Sequence, residues 1–192
     1  LQMGGWFKKP IDTIEDVKGL KMRIPGFGGE VLRRNGGIPV AMPGGEIFTA
    51  LQTGTIDAAE WIGPYNDLAF GMHKVASHYY YPGWHEGGPS LECIINKEAF
   101  ESLPDDLQAI VEIAIQSTND TMLAEFVARN ASSLKQIKKM KEIEIKPFPE
   151  EVMKAFEKTT NEIIKEIEAK DPLFSKIFKS FSDYKETASE WT

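Results

Sequence analysis

Three times within the first 64 residues a short apolar run ends on neighbouring proline and glycine. Lys21-Met22-Arg23-Ile24 runs into Pro25-Gly26, Pro39-Val40-Ala41-Met42 into Pro43-Gly44-Gly45, and Asp57-Ala58-Ala59-Glu60-Trp61-Ile62 into Gly63-Pro64. Proline lacks a ladder donor and glycine accepts turn dihedrals, so each of these sites stops a strand. Between them, Gly29 to Arg34 carries the Val31/Leu32 pair. Glu46 to Gln52 places Ile47, Phe48, Ala50 and Leu51 at helical spacing, and Gly36-Gly37 and Gly54 follow as helix stops. Strand, turn, helix, repeated, predicts an α/β fold with a mainly parallel sheet. Right-handed crossovers bring all three turns to the carboxyl edge of that sheet, where open α/β sheets bind ligands.

From about Leu91 the pattern changes. Glu92-Cys93-Ile94-Ile95-Asn96 reads as one more strand, and Ser102-Leu103-Pro104-Asp105 as a helix start. Helical periodicity then continues from Leu107 through Ile110, Leu123, Val127 and Ile137 almost to Met140, about 50 Å of helix at 1.5 Å per residue. Such a helix is longer than one lobe. Ile143 to Phe148 reads as a short strand closed by Pro149. Val152, Phe156, Ile163 and Ile167 mark an amphipathic helix, and Phe174, Ile177, Phe178, Phe181 and Tyr184 a last one. We therefore divide the chain into an α/β lobe carrying the ligand-site loops, 1–91, and a segment 92–192 with a crossing strand, a long connecting helix and a helical C-terminal region. So much apolar helix beside so small a sheet is expected to pack on a second lobe or another protomer, or else to cover its own helical subdomain.

Composition removes several functions. Of 192 residues, 22 are Lys or Arg and 29 Asp or Glu, a net charge of −7, so nucleic acid is not an expected partner. A lone cysteine, Cys93, rules out an intrachain disulfide and a cysteine-based zinc site. No apolar run approaches the ~18 to 20 residues of a membrane-spanning helix. The opening Leu1-Gln2-Met3-Gly4-Gly5-Trp6 is expected to be a cut or processed end.

The chemistry-bearing candidates lie at the turns. Gly28-Gly29 and Gly44-Gly45 precede predicted helices, where free N–H groups hold anions, though neither matches a nucleotide-binding motif. Arg23 ends an apolar strand, placed either to grip a carboxylate with two parallel hydrogen bonds or to sit in a surface ion pair. Glu60-Trp61 and Trp84-His85-Glu86 each set an acid beside a tryptophan. Two carboxylates converging there would repel unless a cation or Arg23 stood between them, and an oxygen-only ligand set suits Na⁺ or Ca²⁺ rather than zinc. His73, His78 and His85 lack metal spacing and read as surface or packing residues. Tyr79-Tyr80-Tyr81 with Trp84 either walls a pocket or fills an interface. No nucleophile motif is present.

Two segments carry a family resemblance. Lys18-Gly19-Leu20-Lys21-Met22-Arg23-Ile24-Pro25 and Ala50-Leu51-Gln52-Thr53-Gly54-Thr55-Ile56-Asp57-Ala58-Ala59-Glu60 resemble motifs of the solute-binding proteins of tripartite ATP-independent periplasmic (TRAP) transporters. Gln2 to Phe7 and Pro82-Gly83-Trp84-His85-Glu86 are similar to the branch that binds 2-oxo or 2-hydroxy monocarboxylates with a metal ion. The resemblance implies two α/β lobes around a cleft, of which the N-terminal portion is missing here. It implies that Arg23 pairs with the ligand carboxylate, and that Gln2, Glu60, Glu86 and the Trp61 carbonyl hold Na⁺ or Ca²⁺. Gln2 and Trp61 also fall at ligand-contact positions, and a Trp there disfavours succinate-like ligands. Further implications are a periplasmic location, delivery of a small organic monocarboxylate to the membrane components of a TRAP transporter, no catalysis, and homodimer contacts through the C-terminal helices. A metal-dependent enzyme acting on a 2-oxo acid and an effector-sensing domain of a regulator are the competing readings.

Overall fold

A computed structural model describes residues 2–88 and 91–191. The N-terminal part forms β1 (Gly5–Phe7), β2 (Lys21–Arg23), α1 (Gly26–Arg34), β3 (Ile38–Val40), α2 (Ile47–Thr53), β4 (Ala58–Ala59), α3 (Pro64–Ala69) and β5 (His78–Tyr81). α4 (Lys97–Glu101), α5 (Asp105–Ile137), β6 (Glu144–Pro147), α6 (Glu150–Glu168) and α7 (Pro172–Ser189) follow.

The six strands make one sheet in the order β3-β2-β4-β1-β5-β6. β2 runs parallel to β3 and to β4, and β5 parallel to β6, whereas β1 is antiparallel to both β4 and β5. The sheet is thus mixed: five strands point one way and a central strand points back. This reversal decides where the site lies. The carboxyl ends of β2, β4 and β5 share one edge, and the residues just before β1 begin at that same edge.

Both faces of the sheet are covered, and the alternation along each strand assigns the residues. Phe7, Ala58 and Tyr80 face one core, closed by Val31 and Leu32 of α1 and Val152, Phe156 and Ile163 of α6. Their neighbours Trp6, Ala59 and Tyr79 face the other, with Ile47 and Leu51 of α2, Met72, and Ile137 at the end of α5. Strands buried on both faces read as continuous apolar runs, which is why β1 and β5 are aromatic throughout their centres. β6 and α6, from the second half of the chain, complete the sheet and core begun by residues before 91.

Three expectations change. Residues 92–96 form no ladder among the described residues, and Ile94 and Ile95 are exposed. A strand needs an edge to pair with, and β5, its nearest predecessor, already has β1 and β6 beside it. Gly28 and Gly29 lie inside the first turn of α1, not before it, and a Cβ on Gly28 would come within 2.9 Å of His85 Cβ. That glycine makes room for a neighbouring loop. The Tyr79–Tyr81 run is a strand, with Tyr79 and Tyr80 buried in opposite cores.

α5 is one unbroken helix of 33 residues, about 50 Å long. It docks through α3: Tyr65 meets Phe126 edge to face at 6.1 Å, Arg129 stacks over the Tyr65 ring at 5.1 Å, and Asn130 Oδ1 accepts the Tyr65 N–H at 3.0 Å. Ile110, Ile113, Leu123 and Val127 of α5 remain exposed, as do Leu173, Ile177, Phe181 and Tyr184 of α7.

Candidate functional site

At the carboxyl edge, four sequence-distant segments meet around one carboxylate. Glu60 follows β4, and its side chain is 4% exposed; Arg23, the last residue of β2, is 13% exposed and donates from Nη1 to Glu60 Oε1. The other carboxylate oxygen, Oε2, accepts from Gln2 Nε2 at 3.1 Å and lies 3.2 Å from His85 Nε2. Gln2 Nε2 also donates to the Trp61 carbonyl at 3.1 Å and stands 2.9 Å from His85 Nε2. Glu86 is exposed at the rim, with a carboxylate oxygen within 4.8 Å of the ligating atoms of Glu60 and His85. A cleft of about 420 Å³ opens here, bordered by Arg23, Phe27, Trp61, His85 and Phe126 of α5.

Each segment is held by local physics. Gln2 is fixed because β1 is anchored: Met3 N–H donates to Ile62 O at 3.1 Å and Gly83 N–H to Gln2 O at 2.9 Å. The Trp61 indole reaches Gly44 with the edge of its six-membered ring, where a Cβ would come within 2.5 Å of Cη2, and leans on Phe70 at 4.8 Å. The Arg23 guanidinium stands 5.4 Å above its ring, a cation–π contact that keeps the charge oriented. Trp84 packs on Phe156 at 4.3 Å and meets His85 edge to face, so the 84–86 loop is carried by α6.

The donor set suits a hard cation. Glu60, Glu86 and the Trp61 carbonyl supply oxygens, and the Gln2 amide, only 6% exposed, has a buried Oε1 with no partner among the described residues. A half-turn of that amide exchanges Nε2 for Oε1 among the same carboxylate and carbonyl. Four converging oxygens are stable together only around positive charge, and oxygen is the ligand type that hard cations such as Na⁺ and Ca²⁺ prefer.

The structure brings Gln2, Arg23, Glu60 and Trp61 into contact, with Glu86 at the rim. His85, read from sequence as a surface or packing residue, instead lies against Glu60 and Gln2 with its side chain 6% exposed. Its neighbours come from three segments far away in sequence, so no spacing rule finds it. Asp67 was likewise invisible. It is 1% exposed, and its Oδ1 accepts from the N–H groups of Ile62 and Gly63 while its Oδ2 accepts from Trp6 Nε1 and Tyr79 OH. Burial outweighs these bonds and pushes its carboxyl up to about 6.

A doubly covered α/β sheet with a charged cleft at the strand ends, joined to a helix longer than the lobe, defines a solute-binding lobe of the periplasmic type. The family model of bacterial extracellular solute-binding proteins, family 7 (DctP), matches residues 1–171, and the chain belongs to that family. A monocarboxylate 2-oxoacid-binding periplasmic protein of Nostoc sp. is 42% identical over 99% of this chain and 52% of its own length. A TRAP periplasmic solute-binding protein of Colwellia psychrerythraea, solved with calcium and pyruvate, superposes with a TM-score of 0.93 at 46% identity, covering 100% of this chain and 58% of that one. The counterpart from Pseudoalteromonas atlantica, solved with sodium and pyruvate, gives 0.92 at 44% identity, with the same coverage of both chains. This chain therefore spans a little over half the length of these relatives. Among the described residues no helix is long and apolar enough to cross a membrane.

Proposed function

We propose that the protein containing this chain is an extracytoplasmic, periplasmic binding protein that captures a small 2-oxo or 2-hydroxy monocarboxylate, such as pyruvate or lactate, together with Na⁺ or Ca²⁺, and delivers it to the membrane components of a TRAP transporter. The observation that carries this reading is the convergence of Arg23 and Gln2 on the buried Glu60, with the Trp61 carbonyl bonded to the same Gln2 amide. Arg23 Nη1 is engaged by Glu60, while Nη2 has no hydrogen bond among the described residues and serves the ligand carboxylate. Gln2, Glu60, Glu86 and Trp61 O hold the cation, which supplies positive charge to the 2-oxo and carboxylate oxygens. The Trp61 face offers bulk instead of a donor, disfavouring a second carboxylate. The reading assigns no catalysis.

The exposed apolar residues of α5 fit cover by the second lobe that the family resemblance implies. Those of α7, at 173, 177, 181 and 184, share one helix face and support a homodimer through the C-terminal helices.

Calorimetry on the full two-lobed protein tests the proposal. Pyruvate should bind with Na⁺ or Ca²⁺ present and lose most of its affinity after chelation and desalting. Binding indifferent to cation, or absent for every 2-oxo and 2-hydroxy acid tried, would refute it.

A further inference from the structure

We infer that Asp67, which touches neither the ligand nor the cation, is the positioning residue that aims and polarises the Trp61 carbonyl at the cation. The inference rests on the cation site proposed above. Its geometry is that of a single peptide unit. In a trans peptide the C=O of one residue and the N–H of the next point in opposite directions. The N–H of Ile62 donates to Asp67 Oδ1 at 3.2 Å, so the carbonyl of Trp61, on the other side of the same unit, is turned away from Asp67 and toward Gln2 Nε2. A second bond, from Gly63 N–H to the same oxygen at 3.1 Å, removes the remaining freedom of the turn, and Met3 N–H holds Ile62 O from a third direction.

Asp67 is expensive to keep. Among the described residues its four bonds come from neutral donors, Ile62, Gly63, Trp6 and Tyr79, and none from a cation, although the residue is almost wholly buried. Buried charges are ordinarily paired. A neutral acceptor would suffice to hold the turn; what a carboxylate adds is negative charge at the N–H end of the peptide, which draws electron density toward the carbonyl oxygen. Groups that orient and polarise a metal's ligands commonly change its affinity by about 10–100-fold. Oδ2 is fixed in turn by Trp6 and Tyr79, whose rings stack at 4.1 Å in the core of β1 and β5, so the carbonyl is referenced to the centre of the sheet.

The test uses the full two-lobed protein. Asp67→Asn alone would turn an amide N–H₂ against the Trp6 N–H, so the comparison is D67N/W6F with W6F. Isothermal titration with CaCl₂, well below the unfolding midpoint of both proteins, should show a calcium dissociation constant raised at least tenfold by D67N. A merely structural role would lower the unfolding midpoint and leave that constant unchanged, which would overturn the assignment. If D67N/W6F does not fold, ¹⁵N spectra of the wild type decide. Calcium should shift the Ile62 amide resonance strongly, because its peptide group is the one that coordinates. An unmoved Ile62 resonance in a calcium-saturated protein would reject the inference. Wild-type protein that binds no cation would refute the proposed function along with it, whereas normal cation binding unaffected by D67N refutes only the role of Asp67.

Discussion

Removing the Arg23 guanidinium tests the electrostatics of the site directly. The Glu60 side chain is 4% exposed, and the Arg23 guanidinium is bonded to it. Breaking a buried pair by deleting one partner costs roughly 3–5 kcal/mol, because the other charge stays buried and uncompensated. For a chain of this size each kcal/mol is worth about 2–4 °C of midpoint, so Arg23→Met should lower the thermal midpoint by ~6–20 °C. Methionine keeps much of the stem that packs near Trp61, so the loss reports charge more than volume. Adding Glu60→Gln to Arg23→Met removes the stranded charge and should recover most of the loss, giving a coupling of about 2 kcal/mol or more in the double-mutant cycle. The assay is urea or thermal unfolding of the four proteins in chelator. Calcium should also restore stability to R23M, by the mass-action term for a ligand that binds only the folded state. An R23M protein as stable as the wild type, or a double variant no more stable than R23M, would refute the claim that Arg23 holds a buried charge.

Three further outcomes are expected. Asp67 has a folded pKa of about 6 against 3.8 unfolded, so its contribution to stability is fullest below pH 3.8 and is lost as pH rises through 6. The difference amounts to roughly 3 kcal/mol; urea unfolding of D67N/W6F against W6F from pH 4 to 7 should show divergent profiles, and parallel ones would reject the burial argument. Gly44→Ala places a methyl against Trp61 Cη2, which should cost roughly 1–3 kcal/mol, shift tryptophan emission and weaken pyruvate binding; unchanged emission and affinity would show that Trp61 has room to move. Ile177→Ser with Phe181→Ser should reduce the mass seen by light scattering to that of a monomer, and a wild-type protein already monomeric would dismiss the α7 interface.

What the sequence discloses of this fold depends on segment length. β2, β3 and β4 are short but come with proline and glycine stops and helices between them, so their alternation is readable. β1 has three residues and no period to detect, yet it is the strand whose reversal makes the sheet mixed and carries Gln2 to the carboxyl edge. The Ile94-Ile95 pair has strand composition without a strand's partner, and pairing is a tertiary fact. The site divides in the same way. Arg23 and Glu60 are legible because one ends a strand and the other directly follows one at the same edge. His85 and Asp67 are not, since a histidine without metal spacing and an acid near the start of a short helix have ordinary local explanations. Only packing shows one touching Glu60 and the other fastening the turn behind Trp61.

The charges in the cleft bear on which cation it accepts. In the proposed site, with Asp67 set behind the Trp61 turn and outside the cleft, Glu60 and Arg23 cancel, so a bound monocarboxylate would leave one negative charge among the groups lining the cleft, which Na⁺ would neutralise. Ca²⁺ brings one charge more, and the group available to balance it is Glu86, exposed at the rim and close to the same atoms. On the proposed reading such a site would tolerate both ions, because the second carboxylate is screened by water when it is not needed and costs little to leave there. Glu86→Gln should therefore weaken calcium much more than sodium, by about tenfold if the rim charge is worth roughly 1.4 kcal/mol to the divalent ion. Titrating pyruvate into the full-length variant at fixed Na⁺ or Ca²⁺ would measure the difference. Equal losses for the two cations would mean that Glu86 contributes geometry and not charge, and that selectivity is set by Glu60, Gln2 and the carbonyl behind them.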